Sequence, residues 1–304
     1  MTGAAKMHAD ELDIDVALVG RLIAAQFPEW VGLPLEPVRP AGTDNALYRL
    51  GADLVVRLPR KPSSVAPLEK ERRWLPKLAP LLPLAVPLPL AKGLPAEGYP
   101  WEWSVYRWLE GETATRERIE DPGQVAKDVA LFVAALQRVD PMEGPPPGEH
   151  NFFRGAPLAA RDAATRTAIA ALRGSLDDGA VTTAWEAALE APEWHRPPVW
   201  IHGDLDLRNL LLERGRLSAV LDFGCLGVGD PACDVMVVWK VLSAQTRDLF
   251  RAALSVDDAT WARSRGWALY QSLSALAYYT LETNRVLVLE ARHWLAEVLS
   301  DRAC

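Results

Sequence analysis

The chain is poor in cysteine and histidine and has no long uninterrupted hydrophobic run. Its three cysteines, Cys225, Cys233 and Cys304, are odd in number and show no C-x-x-C or finger-like spacing. That argues against a disulfide framework and points to a reducing compartment. The five histidines, His8, His150, His195, His202 and His293, form no H-E-x-x-H or paired spacing, so a zinc site has no support. The longest charge-free apolar run, LAPLLPLAVPLPLA, carries four prolines and is too short to span a bilayer. The opening MTGAAKMHADELDID has no apolar signal core. The expectation is a cytoplasmic protein with no membrane partner.

Positive charge is also in deficit, with 33 Lys and Arg against 40 Asp and Glu and a net charge of −7. Nucleic acid is therefore not an expected partner, because phosphate backbones need clustered cations. The acidity would suit a cationic ligand, although it also serves solubility. A length of 304 residues carries a soft prior of about two domains.

What the sequence does contain is the run HGDLDLRN at 202–209, followed by Asp222-Phe223-Gly224. Asp204 and Asn209 are five residues apart, and Asp222 follows after LLLERGRLSAVLD. That interval reads as strand, Glu-Arg-Gly-Arg turn and strand, a hairpin that would carry Asn209 and Asp222 to one edge. The residue types match phosphoryl transfer. The reaction needs hard oxygen ligands for Mg2+, here Asn209 and Asp222, and a catalytic carboxylate beside the acceptor hydroxyl, here Asp204. Taken singly, each would more simply be a turn or capping residue. Their order and spacing, between the apolar runs PPVWI and LSAVL, favour the site.

With Gly203 where protein kinases have Arg, HGDLDLRN together with LDFGCLGVGDPACDV resembles the aminoglycoside phosphotransferase family, antibiotic and small-metabolite kinases of protein-kinase-like fold. More weakly, GTDNALYRL resembles the family's nucleotide loop, LVVRLPR its third strand, EKERRWLPKL its helix C and WSVYRWLEGE its interlobe hinge. The chain departs from many relatives in having Asp206 and Arg208 in the loop, and Arg57 where most carry Lys.

The resemblance implies further roles. Gly42, Thr43 and Asn45 would contact nucleotide phosphates, and Arg57 would touch the α- and β-phosphates with Glu71 as its partner. Glu69 is a second candidate partner, and Arg60 or Lys61 could share the phosphate contact. Arg is planar and bidentate where Lys is a point charge, so the exchange is not silent. Backbone groups of Tyr106 to Leu109 would meet the base, while most of the hinge aromatics, Trp101, Trp103, Tyr106 and Trp108, pack. His202 and Asp234 would support the catalytic loop structurally. Asp206 is expected to be exposed, either solvated or facing an acceptor amine, and Arg208 to offset the local negative charge. Weak acceptor-binding candidates are Asp206, Asp230, Glu282 and Glu290.

Apolar periodicity predicts a helix over 15–27. The stretches ALYRL and LVVRL alternate around Gly51-Ala52-Asp53 as a hairpin, with Val55 and Arg57 on one face and Val56 and Leu58 on the other. A helix is expected over 67–78. The proline-rich stretch 80–95 reads equally as a semi-rigid linker or as an approach to edge strands. Long helices are expected over 122–139, 158–173, 180–190, 233–253 and 258–300.

The expected fold is therefore α+β, protein-kinase-like and two-lobed. Residues 1–106 would form an antiparallel sheet plus helix, and residues 107–304 a mostly helical lobe with the catalytic hairpins. The expected function is Mg2+-dependent transfer of the γ-phosphoryl of ATP or GTP to a hydroxyl of a small-molecule acceptor, an aminoglycoside-type antibiotic first. A macrolide or another metabolite is the alternative acceptor, and a nucleotide-binding pseudokinase is the alternative from another class. The oligomeric state and the choice of nucleotide stay open.

Overall fold

The computed structural model describes residues 12–38, 44–141 and 143–301. These fall into two compact units. The first comprises Met1–Pro80, Ala85–Glu110 and Val220–Gly224, and the second Leu81–Leu84, Gly111–Ala219 and Cys225–Cys304. The division is thus not a single point in the sequence, because the Asp-Phe-Gly segment groups with the N-terminal residues.

In the first unit, α1 (Val16–Gln26) begins at Asp15, whose carboxylate accepts from the Leu18 amide and satisfies one of the orphan donors of a helix start. Strands β1 (Leu35–Pro37), β2 (Asn45–Leu50) and β3 (Leu54–Pro59) follow, then α2 (Val65–Leu78), β4 (Pro89–Gly93) and β5 (Trp103–Arg107). They form one antiparallel sheet in the order β1-β2-β3-β5-β4. The proline-rich stretch accordingly supplies an edge strand, where a missing N–H costs no ladder bond on the open side.

Alternation sorts the sheet's two faces. Ala46, Tyr48, Leu50, Val56, Leu58, Trp103 and Val105 join Val19, Leu22 and Ile23 of α1 in one apolar core. The opposite face presents Asn45, Arg57, Ser104 and Tyr106, the last three on adjacent strands in register Val55↔Tyr106 and Arg57↔Ser104. Helix α2 turns Leu68, Glu71, Trp74, Leu75 and Leu78 inward, a spacing that fits one helical face.

The second unit starts with β6 (Glu112–Thr113) and α3 (Pro122–Gln137), then α4 (Asp162–Ala171) and α5 (Asp178–Leu189). Strands β7 (Val199–Ile201), β8 (Leu210–Glu213), β9 (Arg216–Val220) and β10 (Gly227–Gly229) come next. They pair as β10-β7 and β6-β8-β9. The β8–β9 turn has positive φ at both Arg214 and Gly215, a combination suited to a two-residue hairpin.

The remaining helices are α6 (Ala232–Val235), α7 (Val237–Lys240), α8 (Ala244–Leu254), α9 (Asp258–Tyr278) and α10 (Arg285–Ser300). Helix α9 packs against α4, α5, α6 and α10. Two expected long helices are therefore broken. The span 233–253 divides at Met236 (φ −56, ψ −17) and again before Ser243, which is extended. The span 258–300 divides after Tyr278. There Thr280 and Thr283 bond to each other's backbone or hydroxyl, and Asn284 caps α10 through the Leu287 amide. Such side-chain bonds compete with helix continuation, and apolar periodicity does not register them.

Candidate active site

In the first unit the site is built around Arg57. Its Nη1 donates to both carboxylate oxygens of Glu71, at 2.9 and 2.8 Å. Glu71 is wholly buried, whereas Glu69 is exposed, so the choice between the two is settled by the face α2 turns to the sheet. Tyr106 donates its hydroxyl to Glu71 at 2.7 Å. With its amide oxygen turned to the guanidinium, Asn45 accepts from Arg57 Nη2 and Nε, both at 3.2 Å. Burial works to lower the Arg57 pKa, but Glu71, Asp222 and Tyr106 outweigh it and raise the value further. Arg57 is a permanent cation.

Asp222 lies 3.5 Å from Arg57 Nη2 through Oδ1, which also accepts from the Gly224 amide at 3.3 Å. Its φ is +58, a left-handed conformation that Asp tolerates better than most residues and that turns up at functional turns. The carboxylate is 52% exposed, so it can reach a ligand.

Several first-unit residues named from the sequence have internal partners. The side chains of Asn45 and Tyr106 are buried and engaged with Arg57 and Glu71 rather than presented to a nucleotide. The Trp108 amide donates to Asp53 O at 2.7 Å and is therefore not a free hinge donor. Its ring lies under Arg49, 4.5 Å away. Lys61 pairs with Asp44 at 2.8 Å. Gly42 and Thr43 lie outside the described residues.

In the second unit the loop 202–209 leaves β7 and enters β8. Asp234, at the start of the chain's helical return, is wholly buried and accepts from the His202 and Gly203 amides, both at 2.7 Å. Burial pushes the Asp234 carboxyl up, while His202 and the two amides pull the other way. Gly203 has φ +83, and a Cβ there would stand 2.8 Å from Cys225 O. Both facts require glycine. The His202 Nδ1 accepts from the Asp204 amide at 3.2 Å.

Asp204 is left with its carboxylate 27% exposed, facing Lys240 Nζ at 3.6 Å and Arg154 Nη2 at 4.0 Å. Burial raises its pKa, but Lys240, Arg154, Arg208 and His202 prevail and bring it down to about 2. Asn209 donates Nδ2 to Asp204 O at 2.8 Å. Its Oδ1 is thereby turned away from the loop backbone, an orientation fit for a hard cation. An amide oxygen such as that of Asn209 and a carboxylate such as that of Asp222 are each hard ligands of the type Mg2+ accepts. Among the described residues no group of three or more His, Cys, Asp and Glu side chains gathers to hold a metal.

Asp206 corrects its expectation. It is 1% exposed, caps the Arg208 amide at 2.9 Å, pairs with the Arg208 guanidinium at 2.5 Å, and lies 3.4 Å from Lys240 Nζ. Arg208 and Lys240 hold it inward beneath the loop, so it is not a solvated acceptor ligand. Asp230 is also buried, held by Arg263 Nε at 2.7 Å and Nη2 at 3.1 Å and capping Ala232. Glu290 is clamped by Arg116 at 2.8 and 3.0 Å. Of the four acidic candidates only Glu282 stands exposed without an ion pair among the described residues. The residue that sequence reasoning missed is Lys240. Its one signal is a lone cation in the apolar run VMVVWKVL.

A buried Arg-Glu pair next to an Asp-Phe-Gly turn, and a glycine-pinned loop presenting Asp204 and Asn209, define a phosphotransferase of protein-kinase-like fold. The chain belongs to the phosphotransferase enzyme family known as APH, whose pattern it matches over residues 36–267. No curated relative matches it.

Among solved structures it is similar to the GDP complex of wild-type aminoglycoside 2'-phosphotransferase-IIIa, with 19% identity and a TM-score of 0.75 over 95% of this chain and 100% of that one. It is also similar to the apoenzyme of macrolide 2'-phosphotransferase MphH from Brachybacterium faecium, with 24% identity and a TM-score of 0.61 over 91% and 97%. At these identities the likeness is one of fold. No helix among the described residues is long and apolar enough to cross a membrane.

Proposed function

We propose that the protein is a Mg2+-dependent small-molecule kinase that moves the γ-phosphoryl of ATP or GTP to an acceptor hydroxyl. The observation that carries this is the Asp204 carboxylate, set by a glycine-pinned loop and braced by the Asn209 amide, whose Nδ2 donates to Asp204 O. Arg57, held in a fixed orientation by Glu71, supplies positive charge for the nucleotide phosphates. Asn209 and Asp222 are the residues that would hold Mg2+, which would supply charge neutralisation on the nucleotide phosphates.

Asp204 orients the acceptor hydroxyl. The oxygen forms a bond to the γ-phosphorus as the bridging bond to the nucleoside diphosphate breaks, and the hydroxyl proton passes to the carboxylate. Against the effect of burial, Lys240, Arg154, Arg208 and His202 hold this carboxyl below its ordinary range, so it is ionised at neutral pH and able to accept the acceptor hydroxyl's hydrogen bond.

The acceptor class proposed is an antibiotic of the aminoglycoside or macrolide type, from the fold shared with kinases of both. The charge pattern favours the macrolide. A polycation needs unpaired carboxylates, and Asp206, Asp230 and Glu290 are each engaged by an internal cation. The pseudokinase reading loses ground because Asp204, Asn209, Asp222 and a closed Arg57–Glu71 pair are all in place.

The test is a panel of aminoglycosides, macrolides and neutral sugars incubated with labelled ATP and GTP and scored for phosphorylated product. Nucleotide binding without any labelled product across the panel would favour the pseudokinase.

A further inference from the structure

Lys240 ends α7 with its side chain wholly buried. An ammonium has three donors and no acceptor, and three oxygens surround this one. Gln271 Oε1 lies at 3.0 Å, Asp206 Oδ2 at 3.4 Å and Asp204 Oδ1 at 3.6 Å. The Trp294 ring covers another side, 4.6 Å from Nζ.

A buried lysine is costly to desolvate and persists where its charge and all its protons are met. Three oxygens from three different side chains match the three donors of an ammonium. The other cation facing Asp204, Arg154, stands farther off at 4.0 Å, with Nε and Nη1 buried and unpartnered. It is not placed to clamp the carboxylate.

We infer that Lys240 is a positioning residue for phosphoryl transfer, tying the Asp204 carboxylate to the buried Asp206 so that the base keeps one orientation toward the acceptor hydroxyl. Asp206 is itself fixed by the Arg208 amide and guanidinium, so Lys240 links the partly exposed Asp204 carboxylate to a buried one with its own anchors. Gln271 on α9 and Trp294 on α10 then hold the lysine from the helical side. The other charged or titratable groups facing this cluster are Arg208, His202 and Asp234, with Arg116 donating to Lys240 O at 3.0 Å.

The inference rests on the phosphotransferase reading of Asp204, and a double-mutant cycle separates the two. The variants are Lys240→Met, Asp204→Asn and their combination, assayed for kcat at saturating nucleotide and acceptor, nucleotide KM and thermal midpoint. Misplacing a reacting group by about 1 Å costs up to about 10²-fold, so Lys240→Met is expected to lower kcat by about 10- to 10²-fold with nucleotide KM unchanged. In the Asp204→Asn background the same substitution should change kcat by no more than about two-fold, because the group it orients is already gone.

Equal losses in both backgrounds, or no loss in either, would overturn the role of Lys240 and leave the base intact. Full turnover by Asp204→Asn alone would overturn the reading of the base instead. If Lys240→Met does not fold, Gln271→Leu removes one of the lysine's three anchors. It is expected to give a smaller kcat loss, on the order of 3- to 10-fold, with the same dependence on Asp204. A loss independent of Asp204 would again refute the positioning role.

Discussion

Arg57 and Glu71 are joined through one guanidinium nitrogen that donates to both carboxylate oxygens, leaving Nη2 directed at Asp222 3.5 Å away. The pair does two things at once. It neutralises a wholly buried glutamate, and it fixes a cation beside the turn that carries a proposed metal ligand. Removing one partner of such a pair strands the other as an uncompensated buried charge, which costs about 3–5 kcal/mol.

Arg57→Ala should therefore lower both stability and kcat/KM for the nucleotide. Arg57→Lys should retain part of the activity, since the charge survives while the guanidinium's several contacts to Glu71 and Asn45 do not. Thermal melts alongside steady-state kinetics check both effects. An Ala variant as active as wild type would move the phosphate contact to Arg60, Lys61 or backbone amides.

Asp204→Asn should bind nucleotide normally and lose about 10²- to 10⁴-fold in kcat, the usual range for a positioned acid–base group. Calorimetry separates the two effects. Near wild-type turnover at saturating acceptor would remove Asp204 from the chemistry.

Asp222→Ala should nearly abolish metal-dependent turnover and weaken binding of the Mg-nucleotide. Unchanged affinity measured calorimetrically, together with unchanged rate, would count against the ligand role.

The pH dependence of folding carries its own signature. The Asp204 carboxyl falls from an ordinary 3.8 to about 2 in the fold. A depressed carboxyl contributes stability above its unfolded value, and that contribution is lost as pH falls through the folded one. Acid titration of the metal-free protein should thus show Asp204→Asn losing less stability than wild type between pH 3.8 and about 2. Parallel curves would show that Lys240 and Arg154 do not hold the carboxylate in solution.

If the acceptor is weakly charged, its KM should change little with salt, because a neutral ligand does not feel screening that sets in over roughly 8 Å at physiological ionic strength. A KM that climbs steeply with salt, with kanamycin-like amines as the better acceptors, would restore the polycation reading and assign Glu282 and its neighbours a direct role.

The sequence by itself determined the order and spacing of Asp204, Asn209 and Asp222, the β8–β9 hairpin between them, and the alternation that sets Arg57 opposite the apolar core. These are local properties, fixed by turn chemistry and by the two-residue period of a strand. Periodicity reports a face but not the partner waiting there. Glu69 and Glu71 were therefore equivalent until the sheet received one of them, and Asp206 read as exposed until Lys240 and Arg208 were found against it.

The helical return shows the limit most plainly. Asp234 and Lys240 are six residues apart, and at about 100° per residue an unbroken helix would set them about 240° apart, facing different ways. The break at Met236 lets one hold the loop's amides and the other its carboxylates. That break follows from long-range packing of α6 and α7 against α9 and α10, contacts that only the folded chain brings together.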